Sequence, residues 1–207
     1  MKTGRIREIA CLVLAIALVG MTVACGGGGA GAVESNLTGS PEEVLNQLLE
    51  DIVNSGAEMP MALPPLAVDP EMSQNAIGLP TAVFGSLVAD ASYSLAAIGT
   101  FAHQIIVIQA VDAASAVQIK SLVSGDGGYD PMKWICVWPE KVATVDSGVY
   151  VLIVASYNNV VDAALAAFEA EAGNVGEVVT FWDFADHGGD LGGIEGGFGG
   201  LEPLPIG

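Results

Sequence analysis

The side chains equipped for chemistry in this chain of 207 residues are few: two histidines, three cysteines, three tryptophans and a carboxylate-rich stretch near the C-terminus. His103 and Cys136 are the pair to weigh first, because a thiol beside an imidazole makes a nucleophile and its base. Cys136 sits in Trp134-Ile-Cys-Val-Trp138. In a strand, that alternation puts Trp134, Cys136 and Trp138 on one face and Ile135 and Val137 on the other. A free cysteine between two tryptophans then reads as a small buried apolar residue. His103, opening a strand beside Gln104, reads as a hydrogen-bonded structural histidine. If helices cover only one sheet face, Trp134 and Trp138, with His103, form the candidate ligand face. Asp183, Asp186, His187 and Asp190 offer oxygen ligands and an imidazole, but match neither an EF-hand loop nor a zinc motif. They are read as nonspecific attraction for cations. Met59 and Met61 present soft thioethers suited to copper(I), without the nearby histidine such a site wants. No phosphate-cradling glycine loop, Gly-x-Ser-x-Gly elbow or His-Glu-x-x-His occurs. The expectation is a protein with no catalytic residues and no cofactor.

Charge narrows the partners. From Cys25 onward the cations are Lys120, Lys133 and Lys141, against 23 acids, a formal charge of −20. Such a surface repels phosphate backbones, which argues against nucleic-acid binding, and it has no basic patch for anionic lipid.

The membrane enters through the N-terminus instead. Lys2, Arg5 and Arg7 precede an apolar run from Ile9 that ends in Thr22-Val-Ala-Cys25. Small residues before a cysteine resemble the bacterial lipobox, with Thr22 where leucine is usual. Cleavage there would leave a diacylated Cys25 as the membrane partner, and two or more acyl chains anchor stably where one does not. Residues 1–24 are thus read as signal peptide and 25–39 as a flexible Gly-rich tether with a reach of about 20 Å. Localisation follows: lipid-anchored at the cell membrane, on the extracytoplasmic side. With Cys11 lost in the signal and Cys25 lipidated, Cys136 stands alone and no disulfide framework is available.

The elements that position these groups can be read in order. Ser40-Pro-Glu-Glu starts a helix whose apolar residues recur from Val44 to Val53. Four prolines between Glu58 and Glu71 exclude regular structure there. One strand is expected within Phe84–Ile98, and another over His103–Val111, rich in β-branched residues. Asp112 caps a helix over Ala113–Val123. A three-stranded meander then spans Lys133–Ser156, with turns at Pro139-Glu-Lys and Asp146-Ser-Gly. A last helix runs from Asn158 or Asn159 to Ala172, ended by Gly173. Glu177–Trp182 offers a short extra strand. The sum is an α+β domain over 40–175, one antiparallel or mixed sheet of about five strands with helices packed on one face. Residues 176–207 read as an acidic Gly-rich tail, largely disordered.

The lipobox and tether, the Ser-Pro-Glu-Glu helix, the run DPMKWICVWPEKVATVDSGVYVLIVAS and the helix ending AAFEAEAG together resemble an uncharacterised family of Gram-positive bacterial lipoproteins. The resemblance covers about residues 40–172. It implies this fold and location and no assigned activity. The expected function is a non-enzymatic ligand-binding or accessory module at the cell envelope, with an unknown protein or small molecule as partner. A structural docking subunit of an envelope complex and a hydrolase with an unrecognised site are the alternatives.

Overall fold

Two strands have almost no solvated residue, and the elements around them are arranged to cover them. In the computed structural model, which describes residues 33–134 and 136–187, β3 (Gln104–Ala110) is buried at every position but Gln109, and β5 (Tyr150–Ser156) at every position. They pair antiparallel, Val107 opposite Leu152. With β1 (Leu66–Ala67), β2 (Val88–Leu95), β4 (Lys141–Ser147) and β6 (Val179–Asp183) they form one six-stranded antiparallel sheet in the order β1-β2-β3-β5-β4-β6. The expected α+β class is what the protein adopts.

Helices cover both faces of the sheet, where one had been expected. A strand that is apolar at successive positions leaves no side for water. On one face, α1 (Pro41–Asn54) and α5 (Asn158–Ala172) bury Leu45, Leu48, Ile52, Val161 and Phe168 against Ile105, Val107, Leu152 and Val154. Each such side chain contributes up to about 1.5–3 kcal/mol. On the other face, α2 (Ser73–Ile77), α3 (Thr81–Leu87) and α4 (Ala113–Ser124) bury Ile77, Phe84, Ile119 and Val123 against Ile106, Ile108, Val151 and Ile153. The starts of α1 and α4 are as the sequence implies. Glu43 N donates to Ser40 Oγ (3.2 Å) while Ser40 N donates to Glu43 Oε2 (2.8 Å), a closed capping box. At α4, Ser115 N donates to Asp112 Oδ1 (2.7 Å). α5 starts differently, at Tyr157 with no side-chain cap, and Asn158 N donates to Glu140 Oε2 (2.9 Å).

The proline-rich stretch expected to hold no regular structure supplies β1 and a 3-10 turn at Pro70–Met72. Three further expectations are corrected. The meander has two strands: residues 134 and 136–140 form no strand. The place beside β4 where a third would have paired is taken by β6, with Val142 opposite Trp182. Cys136 is therefore exposed, in a loop, at φ 71°. Second, the folded unit continues past residue 175, since β6 and the short α6 (Phe184–His187) lie beyond it. Third, the tether ends earlier than expected. From Val33 the chain is docked: Gly148 N donates to Val33 O (2.9 Å), Asn36 N to Ala172 O (2.9 Å), and Tyr150 Oη to Gly39 O (2.7 Å). Among the described residues no helix is long and apolar enough to cross a membrane.

Candidate functional site

On the α4 face, at the end of the sheet where β2 finishes and β3 begins, the covering is incomplete. A cleft of about 1090 Å³ opens there, lined from β2 by Tyr93 and Leu95, from β3 by Gln104, and from β6 by Phe181. Two segments close its sides: Asp69–Ala76, which includes most of α2, and Ser124–Trp134, the end of α4 and the loop after it. They are held together by a close approach. Gly78 ends α2 at φ +78°, and a Cβ there would collide with the backbone of Gly128 and Tyr129. Glycine is required on both counts. Gln74 Nε2 donates to Gly127 O (3.3 Å), and Tyr129 N returns to Val123 O (2.9 Å) at the end of α4.

The floor of the cleft is a polar network inside an aromatic ring of walls. Tyr129 is 4 % exposed and Gln104 2 %. Burial pushes the Tyr129 phenol well above its ordinary 10, with Asp130 adding to the effect, so it stays protonated and donates to Gln104 Oε1 (2.7 Å). That fixes the amide: its oxygen faces Tyr129 and its Nε2 donates to Ala76 O (3.1 Å). Lys133 Nζ donates to the same Gln104 Oε1 (2.5 Å), to Ala76 O (3.0 Å) and, at 3.4 Å, to Asn75 O. It also stands 4.1 Å above the Tyr129 ring centroid and 5.3 Å from that of Trp134. Burial pulls the Lys133 ammonium down to about 7, against the pull of Asp130. The carbonyl oxygens and ring faces favour its charged form.

The expected ligand face is divided. Trp134 is half-buried and lines the cleft. Trp138 lies apart, stacked on Phe184 with centroids 6.3 Å apart and planes at 19°. His103 is wholly buried on the opposite face of the sheet, where its Nδ1 meets Ser156 Oγ at 2.9 Å and its Nε2 has no partner. Burial lowers it to about 4, so it is neutral at pH 7. Cys136 and His103 do not form a pair: one is exposed in a loop and the other sealed in the core.

The acidic candidates are also dispersed. Asp183 Oδ1 accepts from Ala185 N (3.0 Å), and the His187 ring stacks on Trp182 at 4.2 Å. Asp186 is exposed on α6, and Asp190 lies outside the described residues, as does Cys25. Among the described residues no three carboxylate, imidazole or thiolate groups converge as a metal would need. Met61 and Met72 are solvent-exposed.

Sequence reading missed Gln104, Tyr129 and Lys133 as site residues. Lys133 reaches Ala76 across 57 positions and Gln104 across 29. The only local sign is a lysine placed between Pro131 and Trp134 in a chain with few cations. Compared with protein-family models, curated proteins and solved structures, the chain matches none.

Proposed function

We propose that this protein is a membrane-anchored, extracytoplasmic binding protein that takes a small organic ligand in the Lys133 cleft without turning it over. The observation that carries the reading is the cleft itself. Its volume is just above the range for small-molecule sites, about 300–1,000 Å³, and it combines apolar walls with a few fixed polar groups. Binding fits better than hydrolysis because the polar atoms of the floor are already engaged with one another. The Tyr129 hydroxyl is committed to Gln104, and Ser124 Oγ, at the rim, donates to Lys120 O (2.9 Å). No hydroxyl or thiol in the lining stands against a free base.

Anchorage rests on the Thr22-Val-Ala-Cys25 pattern. With the chain docked from Val33, the eight links from Cys25 span at most about 28 Å. The docked segment runs along the β4–β5 turn. The cleft lies at the other end of β3 and β5, where Gln104 faces Ala155. Lipidation at Cys25 would thus hold the domain within that reach of the bilayer.

The test has two arms. Metabolic labelling with an alkyne fatty acid should mark the wild-type chain and leave Cys25→Ser unmarked. The full chain in mild detergent is then screened by thermal shift against amino acids, peptides, sugars and polyamines, with Trp134→Ala as control. A ligand whose shift disappears in Trp134→Ala is expected. If no class of compound gives a Trp134-dependent shift, the binding reading is lost.

A further inference from the structure

The three lysines of the described domain are not used alike. Lys120 pairs with Asp146, and Lys141 with Asp162 at 2.9 Å. Lys133 is the most enclosed of the site's polar groups to carry charge, yet among the described residues no carboxylate lies within ion-pair distance of it. Its ammonium meets carbonyl oxygens and ring faces instead. A half-buried cation with no carboxylate at ion-pair distance is under-compensated, and an arriving anionic group would restore what is missing. The 3.4 Å contact to Asn75 O is the loosest of its three and the one a stronger acceptor would replace.

The carboxylates stand at the rim instead. Asp69, Asp126 and Asp130 all line the cleft and all are solvent-exposed. The cleft is thus polarised, cationic at its floor and anionic at its mouth. A simple anion is a poor match, since it must pass that rim and approach a chain with 23 acids beyond residue 24. A simple cation is held at the rim and leaves the floor unanswered. A molecule with both charges and no net charge escapes the repulsion and satisfies both ends. Between the poles, half-buried Tyr93, Trp134 and Phe181 offer apolar and π surface. At about 1090 Å³ the space is larger than a free amino acid requires.

Building on the binding reading above, we propose that the cleft takes a short peptide, with its free C-terminal carboxylate against Lys133, its side chains on Tyr93, Trp134 and Phe181, and its ammonium among Asp69, Asp126 and Asp130. The carboxylate displaces Asn75 O from Lys133 and leaves the Gln104 and Ala76 contacts in place.

Isothermal titration of the full chain in mild detergent tests this with Ala-Phe-Ala as the free acid, as its C-terminal amide, and as its N-acetyl form. The free zwitterion should bind, the amide at least tenfold more weakly, and the N-acetyl form several-fold more weakly. In Lys133→Met the acid and amide should bind alike. Lys133→Arg keeps the charge and should keep the preference for the acid, and Lys141→Met should behave as wild type. An amide that binds within twofold of the acid in the wild type, or an acid preference that survives in Lys133→Met, overturns the proposal. If tripeptides fail while a sugar or polyamine binds in a Trp134-dependent way, the peptide assignment falls and the cleft stands. If nothing binds, both fall.

Discussion

His103 should make this fold acid-sensitive in a calculable way. The ring is fully buried at the start of β3, with one nitrogen on Ser156 Oγ and the other unpartnered. Protonation would place a cation there with no carboxylate to receive it, which is why burial lowers its pKa from 6.5 to about 4. The unfolded chain takes up the proton near 6.5, while the folded chain resists until about pH 4. Between those values the unfolded state binds more protons, so stability is intact above about 6.5 and is lost as pH falls toward 4. The loss is about 1.4 kcal/mol per pH unit across the window, or about 2 kcal/mol at pH 5 and about 3 kcal/mol at pH 4. Against a total of about 5–15 kcal/mol for an ordinary domain, that is a large share.

A chain with 23 acids after residue 24 has other pH-dependent contributions to stability, so the measurement must be a difference. Urea unfolding of wild type and His103→Leu, at pH 7.5, 6, 5 and 4.5, separates the two contributions. At pH 7.5 the variant forfeits the Ser156 bond, about 1 kcal/mol, and is relieved of an unpaired buried nitrogen, so the two proteins should be close. As pH falls the variant should overtake wild type by about 2 kcal/mol at pH 5. The imidazole proton resonance of His103 should not titrate above pH 5 in the folded state. Parallel stability curves, or a folded His103 that titrates near 6.5, would refute the reasoning.

Four further outcomes follow from the same geometry. Gly78→Ala forces a side chain into the backbone of Tyr129 at positive φ and should cost about 2–4 kcal/mol in urea unfolding, with loss of cleft binding. Cys136, exposed at the loop, should react with a thiol reagent in the native protein within about threefold of its rate in urea, where a buried thiol would be protected by orders of magnitude. Ser40→Ala opens the capping box of α1 and should lower stability by about 1 kcal/mol without altering ligand binding. Affinity for a carboxylate-bearing ligand should fall as pH rises through about 7, as Lys133 loses its proton, and stay flat in Lys133→Arg. Of the groups facing Lys133, Tyr129 stays protonated in this range and Gln104 does not titrate, while Asp130, Asp126 and Asp69 lie outward at the rim.

Local signals carried most of the fold into view. Ser40 with Glu43, Asp112, and Gly173 mark helix ends because each acts on backbone groups within a few residues. The runs Ile105–Ile108 and Val151–Ala155 announce interior strands, and taken to their conclusion they also require cover on both faces. What misled was competition. Trp134-Ile-Cys-Val-Trp138 alternates as a strand should, but Val179–Asp183 takes the edge of β4 and secures it, with Trp182 Nε1 donating to Pro139 O at 3.0 Å. Nothing within either segment ranks the two. The short helix Thr81–Leu87 is hidden in the same way, by a glycine and two β-branched residues that favour other conformations locally. The site was least legible, because its three polar residues come from a strand start and two points of one irregular loop. Trp134 was found for its aromatic ring, while Lys133 beside it was only counted as one of three cations.

That lysine shows how scarce charge is spent. A chain with 23 acids after residue 24 has every reason to place its cations on the surface, where they would relieve repulsion. It places two of them as ties. Lys120 joins α4 to Asp146 of β4 and donates to Glu177 O (2.9 Å) just before β6, and Lys141 joins β4 to Asp162 of α5. The second tie is exposed on the Asp162 side and is worth little in energy. Lys133 makes no tie to an acid at all. Its contacts to Ala76, Asn75 and Gln104 hold the cleft floor together, and a methionine or leucine with a hydrogen-bonded neighbour would do that at lower desolvation cost. A half-buried ammonium on the floor of an open cleft, with no acid at ion-pair distance, is therefore better accounted for by what enters the cleft than by what surrounds it.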